Sequence, residues 1–418
     1  MMKDNLFINR FIEYIWKEDA NVFREIYELS HKISTQDIYN LLMDNKASHF
    51  TFQNSNLNQL FTCGCQHHMR KGRISGCSMC NLHRQSCIQL ALMTALRERD
   101  VDLYSDMVVG SFCKARGTIT TRTIHECIFS YDFFNPMEIP DICLEKLLGP
   151  YGVFSKRPIV YEFEASANSI NEERIDKIRS YTRKAKIIIR IGIECADEGI
   201  RNNWLNKDIT NKTIENAISL CKEKGILITG NVLFGIPGFT EELSVKQYID
   251  TVLWLIRLGV DTISSSILGR PYKSLQGYIY RFLRNDELLK RVGIACGNHT
   301  GLPWLFSYVK ALNECEKRVG SLRGKMVFGQ FNSSYIEQNQ EYAYNENKNC
   351  QCTSKVMGMI REGVPYDGER LYNLYQEGKN DPCYEEYLHL LKKQEAVEGY
   401  GNNMNIVSAK LLESMQSE

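Results

Sequence analysis

Residues 171–234 read NEERIDKIRSYTRKAKIIIRIGIECADEGIRNNWLNKDITNKTIENAISLCKEKGILITGNVLF. Two β-branched runs, residues 187–194 and 227–234, lie between amphipathic helical stretches at 171–184 and 213–224. A short apolar run with a helix-period segment on either side is the mark of a strand in a parallel sheet covered by helices. Working outward, further strands are expected at 106–110, 124–130, 159–164 and 260–267, with helices at 86–99 and 243–258. Six such units over residues 60–270 predict an α/β barrel, complete or partial, whose functional layer is the set of residues ending each strand.

Around this core, residues 1–45 are expected to form a helical N-terminal cap, with Phe7, Phe11, Ile12, Ile15 and Trp16 recurring at helical spacing. Residues 46–270 then make the barrel, its polar start at 47–62 reading as a strand leading into a loop. Residues 271–418 lose the alternation and read as a mostly α accessory or substrate region, with helices near 304–319 and 352–361, a polar loop at 330–349 and a tail after about 398.

The chain has 418 residues, 43% hydrophobic and 24% charged, which excludes a collagen, a coiled-coil rod and a disordered chain. Lys plus Arg is 51 and Asp plus Glu 50, so a life of non-specific nucleic-acid binding is not expected. Charges interrupt the N-terminus every few residues, and no run of about 18 uncharged apolar residues occurs. A cytoplasmic protein without a membrane partner is therefore expected.

Cysteine is over-used: there are 15, and four fall within residues 63–80. A long chain without an export signal favours reduced thiols and metal over disulfides. The segment FTCGCQHHMRKGRISGCSMCNLH (61–83) carries Cys65, then Cys77 after eleven residues, then Cys80 after two more. A Cys-x-x-Cys turn points two thiolates at one centre, and a third from a preceding loop completes the set. Zinc would take a fourth ligand from His67, His68 or His83, whereas an iron–sulfur cluster on three thiolates keeps one iron open. Placement after the first strand of a barrel favours iron–sulfur. Cys65 is preferred to Cys63 because Gly64 and Gly76 each precede a ligand and permit close backbone approach. Arg70, Lys71, Arg73 and Arg84 read as a solvated basic loop that could also meet an anion.

Three cysteines in a loop opening a partial α/β barrel resemble the radical S-adenosylmethionine (SAM) superfamily. The long first gap resembles the branch containing the elongator catalytic subunit. Gly64-Cys65 and Gly76-Cys77-Ser78-Met79-Cys80 are most similar to the archaeosine-synthesis radical SAM enzymes of tRNA modification. Similar segments follow in order: IFSYDFFNPMEIP (128–140), IRIGIECADEGIRNNWLNKDIT (189–210), LPWLFSYVKAL (302–312) and NCQCTSKVMGMI (349–360). Ser130-Tyr131-Asp132-Phe133 stands where that family has Ser-Gly-Ser-Phe, and Cys350-x-Cys352 where it has Cys-x-x-Cys.

The resemblance implies a partial (β/α)6 barrel, a [4Fe-4S] cluster on Cys65, Cys77 and Cys80, and reductive cleavage of SAM to a 5′-deoxyadenosyl radical that abstracts hydrogen from substrate. Ser130, Tyr131 and Asp132 would take the methionyl ammonium. Glu162 or Glu164, with Glu194, would meet ribose hydroxyls or the ammonium. Arg190 would meet the SAM carboxylate or pair with a carboxylate of the protein. Gly235, Ile236 and Pro237 would approach adenine, with Met79 packed on the cofactor. Cys350 and Cys352, with Cys383, are a possible auxiliary metal site. The near-neutral charge and the departures favour a small, amino-acid-derived substrate, with a flavodoxin- or ferredoxin-like electron donor. A lysine-modified deazaguanine in tRNA is the alternative substrate, and a zinc-stabilised binding protein the alternative of another class.

Overall fold

The computed structural model describes residues 6–44, 57–68, 75–80, 87–116, 125–154, 158–292, 301–328, 367–395 and 399–417. The chain opens with α1 (Leu6–Ser30) and α2 (Thr35–Asp44). After β1 (Leu57–Gln59) come α3 (Cys87–Arg99), α4 (Val101–Arg116) and β2 (His125–Phe129). Then α5 (Asp141–Leu148), β3 (Val160–Ala165), α6 (Glu172–Thr182) and β4 (Lys186–Glu194) follow. Helices α7 (Glu198–Asn203) and α8 (Asn211–Glu223) lead to β5 (Leu227–Phe234), α9 (Glu241–Leu258) and β6 (Thr262–Ile267). The remainder is α10 (Leu275–Leu283), α11 (Glu287–Val292), α12 (Leu305–Val319), β7 (Met326–Phe328), α13 (Gly368–Gly378), α14 (Pro382–Gln394) and α15 (Gly399–Gln416).

All pairings in the sheet are parallel and the spatial order is the chain order, β1 through β7. Each crossover between neighbours carries at least one helix, so the sheet is a parallel half-barrel with helices on its outer face. The alternation of burial along β4 shows the two faces. Ile187, Ile189, Ile191 and Ile193 are buried under the helices, while Ile188, Arg190 and Gly192 face the concave side and are only partly covered. Helices α8 and α9 start where the sequence offers a capping oxygen. Thr210 and Thr240 accept the amides of Thr213 and Leu243, and α9 ends on Gly259 at φ 76°.

Three expectations are corrected. The strand expected at 106–110 lies inside α4: Tyr104, Met107, Val108 and Phe112 are buried at helical spacing, so the Val-Val pair sits in a helix–helix seam. The tail after 398 is the helix α15, which buries Val407 and Leu411 in a second apolar cluster shared with α1 and α10. A seventh strand, β7, comes from the region beyond residue 270 and pairs with β6. The helix and loop expected at 352–361 and 330–349 lie outside the described residues. Among the described residues, no helix is long and apolar enough to cross a membrane.

Candidate functional site

The cysteine loop lies against the turn that follows α7. The Ser78 amide donates to the Leu205 carbonyl at 3.0 Å and the Ser78 hydroxyl to the Trp204 carbonyl at 2.7 Å. Asn206 returns a side-chain bond to the Gly76 carbonyl at 2.6 Å, and His67 Nε2 meets the Asn206 carbonyl. The Leu275 amide closes the other side on the Ser78 carbonyl at 2.6 Å. Gly64 and Gly76, at φ 82° and 113°, turn the backbone before two of the cysteines, where a side chain would be strained.

Cys65, Cys77 and Cys80 are not in disulfides, and the Cys77 and Cys80 charges both reach Cys65. Burial, followed by the Cys77 charge, pushes the Cys65 thiol well above its ordinary value. Burial also opposes ionisation of Cys77, yet Lys207 and His67 beside it bring its pKa below the usual value. Lys207 donates to Glu194 at 2.8 Å, and both side chains are nearly enclosed. Burial works against the Lys207 ammonium, but Glu194, Cys77 and Cys80 hold it charged. One buried cation thus serves a carboxylate and two thiols. Cys63 is fully buried and turned elsewhere: its sulfur faces Arg97 Nη1 and the Met137 carbonyl, both at 3.4 Å. Met79 packs on the edge of the second apolar cluster.

Glu194 ends β4 at φ 66°, after a bulge between Gly192 and Glu194. Non-glycine residues in this region mark strain that surrounding structure maintains. Asn206 and Asp208, at φ 56° and 55°, bracket Lys207 and aim it back at the strand end. A Cβ on Gly192 would come 3.0 Å from Lys207 Nζ and 3.3 Å from Glu194 Oε1, so the ion pair fills the space a side chain there would need.

At the end of β2, Ser130 is buried and its hydroxyl has no hydrogen-bond partner. The next two amides, of Tyr131 and Asp132, donate to Glu138 at 2.8 and 2.7 Å. Thr62 also donates to Glu138, at 2.8 Å, and accepts from the Gly64 amide, so this buried carboxylate joins the cysteine loop to the strand end. Burial raises Glu138 to about 8, and the neighbouring Asp132 adds to that. The Asp132 carboxylate itself accepts from the Ser166 amide and the Ser169 hydroxyl, tying the β2 end to the loop after β3.

No family model matches this chain. An uncharacterized protein of Methanocaldococcus jannaschii is 29% identical over 154 residues, which is 37% of this chain and 38% of that protein. Among solved structures, the radical SAM methyltransferase TsrM of Kitasatospora setae, with cobalamin and a [4Fe-4S] cluster bound, has TM-score 0.32 and 14% identity. That likeness covers 51% of this chain and 34% of TsrM. The same enzyme with tryptophan and the SAM analogue aza-SAM gives TM-score 0.32 at 14% identity over 50% and 35% of the two chains. The chain therefore spans little more than a third of the length of the proteins it matches.

The other expected residues divide into two layers. Glu164 and Glu194 lie at strand ends; burial, with Glu162 and Glu194 nearby, raises Glu164 to about 7. Glu162 and Arg190 lie deeper on the concave face and pair at 2.6 Å, and Arg190 also donates to Ser264 at 2.9 Å. Gly235, Ile236 and Pro237 line the turn after β5, where a Cβ on Gly235 would meet Pro303 at 2.8 Å. The Pro237 carbonyl accepts from Trp204 Nε1 at 2.8 Å. Cys383 is buried in α14 beside Trp304 and Tyr387. Cys350 and Cys352 lie outside the described residues, as do Arg70, Lys71, Arg73, His83 and Arg84.

Sequence reading missed Lys207, Asn206, Thr62 and Glu138. The available signal was the polar turn NKD (206–208) after a short helix, since Asn and Asp are the residues that most readily enter the left-handed region.

Proposed function

We propose that the chain is a radical SAM enzyme in which Cys65, Cys77 and Cys80 hold a [4Fe-4S] cluster. The observation that carries this is the gathering of the three thiols beside one buried cation: the Cys77 and Cys80 charges both act on Cys65, and Lys207 acts on Cys77 and Cys80. The Lys207 ammonium suits the negative charge that such a thiolate set brings to a buried place. The unpartnered Ser130 hydroxyl, on the strand end that Glu138 ties to the cysteine loop, supplies a polar contact for a bound cofactor.

When bound, the cluster and SAM supply an electron and a 5′-deoxyadenosyl radical. The chain's own residues bind, orient and exclude water. Ser130 and the Tyr131 carbonyl would accept the methionyl ammonium. Glu164, held near neutrality, and Glu194 would accept ribose hydroxyls or that ammonium. The 235–237 turn would approach adenine, and Met79 would pack beside it. Asp132 would keep the β2 end in place through Ser166 and Ser169. We propose a small, amino-acid-derived substrate on the concave face. The nearly balanced charge, 51 basic against 50 acidic residues, supports this over tRNA. A flavodoxin- or ferredoxin-like donor would reduce the cluster.

The test is anaerobic reconstitution with iron and sulfide, reduction, and assay of 5′-deoxyadenosine from SAM. Production is expected in the native chain and loss in Cys77→Ala and Cys80→Ala. Uptake of zinc but no iron at these cysteines sinks the reading in favour of a zinc-stabilised protein, for which His67 beside Cys77 offers a fourth ligand. Titration with tRNA at two salt concentrations settles the substrate class: weak binding with a shallow salt slope is expected, and a steep slope would assign RNA.

A further inference from the structure

We infer that His125, Cys127 and Glu162 form a second, mononuclear metal site for a zinc-type divalent cation, on the concave face of the half-barrel beneath the strand-end layer. Their ligand atoms all lie within 4.8 Å of one another. His125 Nε2 is 3.0 Å from Glu162 Oε2, Cys127 Sγ is 3.3 Å from the same oxygen, and Sγ is 3.6 Å from Nε2. One imidazole nitrogen, one sulfur and one carboxylate oxygen therefore face a common point. A tetrahedral ion with bonds of about 2.0–2.3 Å sets edges of roughly 3.3–3.6 Å between such atoms. The set found here is already close to that triangle.

Register explains why these three meet. Cys127 on β2 is paired with Glu162 on β3, and His125 shares the Cys127 face two residues earlier. The two oxygens of Glu162 are divided between tasks. Oε1 takes both Nε and Nη2 of Arg190, at 3.1 and 2.6 Å, and Oε2 faces His125 and Cys127. Arg190 is in turn fixed by Ser264 at 2.9 Å. A ligating carboxylate oriented by a donor on its other oxygen is the usual outer-sphere support of a metal site. The Glu162 side chain is 7% exposed and that of His125 39%, so the site opens toward solvent on the histidine side. Three protein ligands with an open fourth position suit a bound water or substrate group more than a closed structural site.

The trio lies about 10 Å below the strand end, taking roughly 3.3 Å per residue over the three residues from Cys127 to Ser130. It shares no ligand with the Cys65, Cys77 and Cys80 set and stands whether or not that set holds iron. The ion would displace the Cys127 thiol proton to solvent, and no electron is transferred.

Zinc and iron are measured in the full-length chain after anaerobic cluster loading, exposure to Zn2+ and desalting. The native chain is compared with His125→Ala and Cys127→Ser, with circular dichroism as the folding check. A stoichiometric zinc is expected in the native chain, lost from both variants with iron unchanged. Because the cysteine loop is intact in all three, the difference isolates the trio whatever metal that loop holds. Equal zinc in the native chain and a folded His125→Ala variant overturns the inference, and so does a native chain that takes up none. His125 is the more exposed ligand, so its variant remains informative if Cys127→Ser fails to fold.

Discussion

Lys207 links the end of β4 electrostatically to the cysteine loop. It neutralises Glu194 at 2.8 Å and lies within reach of Cys77 and Cys80. Replacing it with Met leaves Glu194 unpaired beside Cys77 and removes the cation that favours the thiolate. The Cys77 pKa should rise, the thiolate fraction near neutral pH should fall, and alkylation of metal-free protein should slow. Peptide mass spectrometry after iodoacetamide pulses reads this, with the exposed Cys113 as an internal reference that should not change. Equal Cys77 labelling in Lys207→Met and native protein would remove Lys207 from its assigned role. The cysteines were legible because they are adjacent in sequence and each glycine announces a turn. Lys207 was not, because Cys77 and Cys80 lie far off in the chain and two positive-φ residues bracket it.

Among the elements, α9 shows how a helix start can tune stability with pH. Its Glu241 is buried, and its carboxylate accepts the Trp304 amide at 3.2 Å. Burial raises it from the usual 4.5 to about 7. Folding therefore takes up a proton between those values, and the contribution to stability falls as pH rises from about 4.5 through 7. The loss is on the order of 3 kcal/mol at most, from 1.36 kcal/mol per pKa unit. Denaturant unfolding across this range should show a flatter profile for Glu241→Gln than for the native chain. The cap at Thr240 and the β-branched strands were readable from sequence because local chemistry sets them. The α4 misreading has an equally local cause, since Val-Val fits a buried helix seam as well as a strand. β7, only three residues long, leaves no period to read.

Over the whole molecule, two apolar clusters divide the labour. One lies between the sheet and its outer helices; the other joins α1, α7, α10 and α15 beside the cysteine loop. The second brings residues from near both ends of the chain onto the half-barrel. Leu411 is fully buried there, and Leu411→Ala should cost about 2–5 kcal/mol in thermal or denaturant unfolding. A change under half a kcal/mol would mean that α15 is not docked. Such closure was invisible in sequence, because α15 shows little amphipathic pattern and its meaning lies in what covers it.

The sheet is laid down in the order in which the chain is made, each strand adding beside the one before it. The bond from Asn206 to Gly76 spans 130 positions. At synthesis rates of about 5–20 residues per second, the cysteine loop leaves the ribosome some 6 to 26 seconds before its clamp. During that interval Cys65, Cys77 and Cys80 have neither Lys207 to favour ionisation nor the turn at 204–206 to hold their spacing. If these thiols take up a metal, as proposed, a carrier that arrives early would meet three ordinary thiols, and one that arrives after the 204–207 turn has folded would meet a prepared site.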